Sequence, residues 1–187
     1  MKYSKMRRIL FAAALLLLGH SLPAQNFALS TNVMGYADFG TLNLDASYAV
    51  ARHWSVNAGF RYNPFSFGTG EEEFRRRQRS VSTGARYWPW HIYSGWWLSA
   101  ELRYQEYNVG GLVSPATSEG DRYGAGIGGG YTYMIAPNLN LDLGFGLWSG
   151  YDQYTSYECP TCGRVTDRGE KFFILPADII LALTYIF

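Results

Sequence analysis

Charged residues are scarce in this chain, and lysine is almost missing from most of it. Charged residues make up 17% of the 187 residues, below the usual quarter, and Lys171 is the only lysine after residue 24. The chain has only two cysteines, too few for a disulfide-stapled miniprotein. Its one long apolar run, residues 9–18, is too short to span a bilayer as a helix, which excludes a helical membrane protein. Aromatic residues reach 17%, which excludes a disordered chain.

The N-terminal segment has the layout of a secretory signal peptide. Lys2, Lys5, Arg7 and Arg8 precede the apolar run, and small residues around Ala24 offer a cleavage point. We therefore predict a signal peptide at 1–24 and one barrel domain at 25–187; the alternative is a buried N-terminal helix. Cleavage removes four of the 16 basic residues and none of the 15 acidic ones, leaving a net charge of −3. That charge argues against nucleic acid as a partner.

The rest of the chain alternates between apolar and polar residues, which is typical of β-strands. Alternation is strict in residues 42–50, 54–62, 98–105 and 139–147. Weaker alternation marks residues 27–35, 80–88, 122–135 and 177–187. The sequence therefore predicts eight strands, and we expect no helix after residue 24.

The predicted connections differ in length from one side to the other. Short connections cover residues 51–53, 89–94 and 136–138, whereas long ones cover residues 63–79, 108–121 and 151–172. Residues 36–41 are a short exception on the long side. Short turns on one side and long loops on the other are typical of outer-membrane barrels. We therefore predict an all-β fold, an eight-stranded antiparallel transmembrane β-barrel with short periplasmic turns and longer extracellular loops.

The two faces of these strands also favour a barrel in a bacterial outer membrane over a water-soluble barrel. The polar face carries Gly, Ser, Asn and isolated charges, whereas a soluble sheet surface normally carries many Lys and Glu. Large aromatic residues lie near the predicted strand ends, where aromatic girdles meet the lipid–water boundary. These are Trp54, Tyr62, Tyr87, Trp88, Trp96, Tyr104, Tyr131 and Tyr133.

Charged residues on the inward face nearly balance. An eight-stranded barrel is only wide enough to be filled by side chains, and buried charges must be paired. We therefore predict an internal ion-pair network that plugs the lumen; the alternative is a narrow conduction path. The network consists of Asp45, Arg61, Arg86, Glu101, Arg103, Asp142 and Asp178.

A block of opposite charges lies in the first predicted long loop. Residues 71–73 are glutamates, and Arg75, Arg76, Arg77 and Arg79 follow them. Arginine binds phosphate well, so these side chains are candidates for contact with lipopolysaccharide. The alternative is a solvated loop with local ion pairs.

The last predicted long loop contains a single CxxC pair, Cys159 and Cys162. One such pair supplies two of the four ligands that zinc needs, and no histidine lies nearby. In an exported loop we expect a disulfide that closes a tight turn, with metal binding or redox catalysis as alternatives.

Signals for an enzyme are weak. Gly124, Gly126 and Gly129 match a GxGxxG pattern, but the alternation continues through them, so no nucleotide-binding turn is expected. The chain after residue 24 has two histidines, His53 and His91, both in predicted periplasmic turns. We predict no catalytic residues, no cofactor and no metal.

The order of several short motifs resembles the DUF3575 family of Bacteroidetes outer-membrane proteins. The resembling segments are residues 42–45, 51–59, 62–65, 86–88, 107–111, 123–127, 159–163 and 183–187. The resemblance implies a small outer-membrane barrel without catalytic residues, and it links the chain to fimbrial assembly.

The final strand resembles the C-terminal signal by which barrel-assembly machinery recognises its clients. Its lipid-facing residues are Leu183, Tyr185 and Phe187. The expected partners are therefore this machinery, outer-membrane lipid and lipopolysaccharide, and fimbrial or other envelope proteins.

Three functions remain open at this point. The first is a non-enzymatic surface protein, either structural or accessory to adhesin or fimbrial assembly. The second is a barrel enzyme that acts on lipid or peptide. The third is a narrow solute channel.

Overall fold

The structure, a computed structural model, describes residues 26–70, 73–112 and 114–187. The predicted signal peptide lies outside the described residues. The described residues form strands joined mostly by hairpins, with one short helix. The elements are β1 (Phe27–Asn32), α1 (Val33–Ala37), β2 (Leu42–Ala51), β3 (Trp54–Asn63), β4 (Ser66–Phe67), β5 (Phe74–Tyr87), β6 (Gly95–Gly110), β7 (Thr117–Ala136), β8 (Leu139–Tyr157) and β9 (Val165–Ile186).

Eight of these strands close into a ring. The order around the sheet is β3-β2-β1-β9-β8-β7-β6-β5, and β5 pairs with β3 to complete the circle. Every neighbouring pair is antiparallel. Closure removes the free edges that an open sheet would expose, so the fold is an eight-stranded antiparallel barrel. The two-residue strand β4 lies outside the ring and pairs with β5.

The barrel has two distinct ends. Residues 52–53, 88–94 and 137–138 connect strands at one end, which we call the turn end, where Phe27 and Phe187 also lie. Residues 33–41, 64–73, 111–116 and 158–164 connect strands at the other, which we call the loop end. The loop-end connections have 6 to 10 residues and the turn-end connections 2 to 7, so the predicted difference is present but much smaller than predicted.

The alternation places apolar side chains outside and polar ones inside. On β6, Leu102 is 65% exposed, whereas the neighbouring Arg103 is buried. On β7, Ile127 is 69% exposed and faces away from the inward glycines. This distribution is the reverse of that in a water-soluble barrel, whose core is apolar.

The barrel wall is much taller on one side than on the other. β1, β2 and β3 have 6 to 10 residues, whereas β5 to β9 have 14 to 22. Much of the three predicted long loops is therefore strand, continuing in register through pairs such as Tyr154↔Gly169. The sequence did not predict these extensions because both of their faces are polar, so hydrophobic alternation fades there.

The first strand is shorter than predicted, and a helix follows it. β1 ends at Asn32, whose side chain accepts a hydrogen bond from the Met34 backbone N–H at 3.1 Å and thereby caps α1. The expectation of a strand to residue 35 and of no helix after residue 24 was therefore wrong. No helix within the described ranges could cross a lipid bilayer.

A bulge reverses the two faces of β9. Asp178 pairs with Gly146, but Pro176 pairs with Leu147, so Ala177 is an extra residue. The strand starts at Val165 and not at residue 177 as predicted, and along the chain its inward positions change from odd to even numbers at the bulge. Phe173 is consequently buried inside.

Candidate functional site

An ion-pair group crosses the middle of the lumen. Arg61 of β3 pairs with Asp178 of β9, and its Nη2 donates to the Asp178 Oδ2 at 2.7 Å. The Nη2 of Arg103, on β6, lies 2.6 Å from both Asp178 Oδ2 and Glu101 Oε1. The Arg103 side chain is only 5% exposed, so its charge depends on these carboxylates.

A second ion pair lies nearer the turn end. The Arg86 Nη1 is 3.4 Å from Asp142 Oδ2, and the hydroxyls of Thr132 and Thr184 donate to the same buried carboxylate. The structure thus brings six of the seven predicted network residues into ion pairs. Asp45, the seventh, lines a small void beside Arg61 and Arg86.

Aromatic side chains fill the turn end of the lumen. Trp88 and Trp97 are each 1% exposed, and Tyr93 packs edge-on against Trp88 with ring centroids 5.7 Å apart. The Trp88 Nε1–H donates to Ser55 Oγ at 3.0 Å. The placement of Trp88 in an outer aromatic girdle was therefore wrong: the residue follows the outward Tyr87 and lies on the opposite face.

The free space in the lumen falls steeply towards this aromatic plug. A cavity of about 350 Å³ lies at the loop end. Next comes a void of about 40 Å³ at the ion pairs, and then one of about 20 Å³ beside Trp88 and Tyr93. A water molecule needs at least about 10–15 Å³ of such volume, so the lower voids have room for very few waters.

A cluster that the sequence analysis missed lines the upper lumen. The Arg122 Nε donates to Asp152 Oδ2 at 3.1 Å, and the Tyr107 hydroxyl donates to Asp152 Oδ1 at 2.7 Å. The Arg122 guanidinium also lies 3.9 Å from the Tyr107 ring centroid, and Lys171 Nζ is 3.8 Å from Asp152. Burial, reinforced by the hydrogen bond to Asp152, raises the pKa of Tyr107 to about 12.

The continued alternation was a signal for this cluster. Arg122 precedes the inward Gly124 by two residues, and Asp152 follows the inward Gly150 by two. The same rule therefore places both side chains in the lumen.

The four candidate lipopolysaccharide-binding arginines lie on strand β5 and not in a loop, which corrects the predicted loop boundary. Arg76 turns towards the lumen and its guanidinium binds both carboxylate oxygens of Asp38 at 3.0 Å. Arg75, Arg77 and Arg79 share the parity of the outward Val81, and Arg77 and Arg79 are 52% and 64% exposed. Their carboxylate partners are Glu73 for the first two and Glu106 for Arg79.

Two rows of aromatic residues lie on the outer wall. Tyr104, Tyr123, Tyr151 and Phe172 stand side by side in register on four adjacent strands. The second row lies near the turn end and consists of Trp54, Tyr87, Trp96, Tyr133 and Tyr185, all exposed. On the described strands, no outward-facing residue between the two rows is charged.

The distance between the rows follows from strand geometry. On β7, Tyr123 and Tyr133 are ten residues apart. At about 3.4 Å per residue and a tilt of about 40°, this separation spans about 26 Å along the barrel axis. The apolar band of outer-membrane barrels is about 25 Å tall, so the two dimensions agree.

The loop between β8 and β9 holds the predicted disulfide, which joins Cys159 and Cys162 with a Cα–Cα distance of 5.5 Å. Gly163 follows in a left-handed conformation with φ 63°, which glycine adopts easily. The Glu158 backbone N–H donates to the Arg164 carbonyl at 3.0 Å and closes the loop. The pairing leaves neither sulfur as a free thiolate for zinc.

The remaining predicted residues lie on strands or at the turn end. Leu183, Tyr185 and Phe187 share the outward face and are 40%, 48% and 47% exposed. The glycine pattern at residues 124–129 lies within β7 and opens no helix. The His53 Nδ1 is 2.7 Å from the Trp88 carbonyl oxygen, and His91 lies in the connection between β5 and β6.

The fold and its lumen define a closed eight-stranded antiparallel barrel with a charged, side-chain-filled interior. The chain belongs to the family described as "Protein of unknown function (DUF3575)", whose sequence model matches residues 9–187. Comparison with curated proteins gives no match to the chain.

Proposed function

We propose that this chain is a non-enzymatic β-barrel of a bacterial outer membrane, with a structural role or an accessory role in surface adhesin or fimbrial assembly. The observation that carries the membrane placement is the outer wall, which is apolar and uncharged between two aromatic rows about 26 Å apart. In water this large apolar surface would be exposed, which is unfavourable, whereas the acyl chains of a bilayer would cover it.

The same geometry supports one orientation. The turn end, with its short connections, faces the periplasm, and the tall wall of β5 to β9 stands outside the cell. Arg77 and Arg79 lie just above the level of Val81, where phosphate groups of lipopolysaccharide are concentrated. The outward Leu183, Tyr185 and Phe187 offer an apolar surface to barrel-assembly machinery.

Closure of the lumen favours a structural role over conduction. The central ion pairs and the plug of Trp88, Tyr93 and Trp97 leave voids of only about 40 and 20 Å³. The extended wall instead presents a protein surface above the bilayer, to which an adhesin or fimbrial subunit could bind.

Epitope insertion tests the placement. We would insert one tag after Gly163, at the loop end, and the matched tag after Pro137, at the turn end, and label intact cells. We expect a heat-modifiable protein in the outer-membrane fraction, with the Gly163 tag labelled and the Pro137 tag labelled only after permeabilisation. A water-soluble protein, or labelling of the Pro137 tag alone, would contradict the proposal.

A gene deletion tests the role. Loss of the protein should lower the amount of surface adhesin or fimbriae, or weaken the envelope against detergent, without changing uptake of small solutes. Restoration by the wild-type chain should reverse the defect. A deletion that changes only solute uptake would favour a channel instead.

A further inference from the structure

The large cavity at the loop end has the features of a ligand site, and the proposed structural role does not use it. Its volume of about 350 Å³ lies within the range of small-molecule pockets. Side chains are expected to fill the interior of an eight-stranded barrel, so an open space of this size is more than the fold requires. The tall wall on one side and the short β1 on the other leave this space.

Two buried donors at this cavity lack an acceptor. The Trp148 Nε1 and the Arg103 Nε have no hydrogen-bond partner among the residues that the structure describes. Trp148 is 3% exposed, the Arg103 side chain is 5% exposed, and both residues line the cavity. A buried donor without an acceptor is unfavourable, so a bound oxygen atom would stabilise the site.

The charges around the cavity favour an anionic oxygen. Four arginines line it, namely Arg61, Arg76, Arg103 and Arg122, and of their carboxylate partners Asp38 and Asp178 line the cavity, whereas Glu101 and Asp152 lie outside the lining. Arg122 binds Asp152 through its Nε, and its two terminal nitrogens have no hydrogen-bond partner among the described residues, so they are available to a ligand. Arginine nitrogens form strong, charge-assisted hydrogen bonds with carboxylate and phosphate groups.

Part of the remaining lining is apolar, and the other part is polar and consists of Asn32, Thr41, Asn43, Gln78, Ser80, Gln105 and Tyr107. The Trp148 ring packs edge-on against Phe173, and Leu175, Pro176 and Ile179 line the cavity on the β9 side. Met34 and Val109 lie on other parts of the wall. Such a lining suits a short aromatic or aliphatic body attached to the anionic group.

We propose that the upper lumen binds a small organic acid, an oxyanion with a short apolar body, through Trp148, Arg103 and Arg122. The oxyanion meets the Trp148 and Arg103 donors and the terminal nitrogens of Arg122, and the apolar body packs on the Trp148 ring and Pro176. This inference goes beyond a structural or assembly role and does not depend on it.

Titration calorimetry on the purified full-length barrel in detergent tests the proposal with three probes. Phenylacetate carries a carboxylate, phenyl phosphate carries a phosphate, and 2-phenylethanol is the neutral analogue of similar size. We expect at least one anion to bind at least about tenfold more tightly than the neutral probe. The anion that binds more tightly identifies the oxyanion class.

Variants then assign the binding to the cavity. Trp148→Phe keeps the ring but removes the donor, and Arg122→Gln removes the charge. Each should weaken anion binding by about tenfold, while the control Arg164→Gln, whose exposed side chain lies in the loop between β8 and β9, leaves it unchanged. Heat-modifiable migration shows that every variant is folded. Equal binding of the neutral probe, unchanged affinity in both variants, or no binding of either anion up to about 10 mM would overturn the proposal.

Discussion

Arg103 and Asp178 form an ion pair across the lumen, from strands that are separated by two others in the ring. Asp178 also binds Arg61, so one carboxylate ties β3, β6 and β9 together. These ion pairs join opposite walls of the barrel and do not depend on the hydrogen bonds between neighbouring strands.

Asp178→Asn should destabilise the barrel strongly. The substitution leaves Arg61 and Arg103 without their shared charge, and loss of one partner of a buried pair costs about 3–5 kcal/mol. Denaturant unfolding in lipid vesicles measures the loss. The control is Arg79→Gln, whose ion pair with Glu106 is exposed and is worth at most about 1 kcal/mol. Equal effects of the two substitutions would contradict a network that stabilises the barrel.

The aromatic plug gives a second prediction. Trp88→Ala should lower the free energy of unfolding by about 3–5 kcal/mol because it empties a fully packed position. Trp88→Phe should cost less, since it keeps most of the ring but leaves Ser55 without its hydrogen bond. Trp90, in the same connection and 59% exposed, provides the control. If Trp90→Ala were as costly as Trp88→Ala, the plug would not be the cause.

The membrane-sized part of the barrel could be predicted from sequence because apolar and polar residues alternate there. Alternation along β5 puts Trp88 on the face opposite Tyr87, but the sequence prediction assigned both to the girdle because both lie near a strand end. The strands above the band could not be predicted in this way. In residues 153–157 and 165–171 both faces are mostly polar, so hydrophobic alternation no longer marks a strand.

The bulge at Ala177 was hidden for a different reason. Phe172, Phe173, Ile174 and Leu175 form a continuous apolar run, which shows no period of two. An extra residue that reverses the strand's faces cannot be distinguished from a change of structure in such a run. The ion pairs could be predicted as a group of inward charges, whereas individual partners required the barrel's register.

The disulfide gives a third prediction. Cys159→Ser should leave the barrel assembled and cost only about 1–2 kcal/mol, because the bond closes a very short ring. It should also make the loop at residues 158–164 easier for added protease to cut. Limited proteolysis of intact cells, with the cut mapped by mass spectrometry, measures this change. A variant loop that stays as resistant as the wild-type loop would show that the strand pairing alone orders it.

The hydroxyl of Tyr107 gives a prediction for alkaline pH. Its pKa is raised to about 12 from an ordinary value near 10, since burial and the Asp152 carboxylate disfavour the phenolate. The protonated Tyr107 hydroxyl therefore contributes fully to the stability of the folded barrel below about pH 10, and this contribution is lost as the pH rises through about 12. Carbon NMR of labelled tyrosine, with the signal assigned through Tyr107→Phe, measures the pKa. Titration of this signal near pH 10 would contradict the buried hydrogen bond.

The most direct test of the membrane placement is the depth dependence of one substitution on the outer wall. Ile127 faces outwards between the two aromatic rows. Val165 lies on the part of β9 beyond them, where a second register shift leaves Thr166 as an extra residue and pairs Val165 with Tyr157, which shares the parity of the outward Tyr151. Val165 therefore also faces outwards, and both residues are exposed. The measurement is the free energy of folding into lipid vesicles for Ile127→Arg and Val165→Arg. We predict a loss of about 2–4 kcal/mol for Ile127→Arg and of about 0–1 kcal/mol for Val165→Arg, because an arginine at mid-bilayer is costly and one near the interface is not. Equal losses at the two positions, or a wild-type chain that folds in buffer without lipid or detergent, would contradict the account.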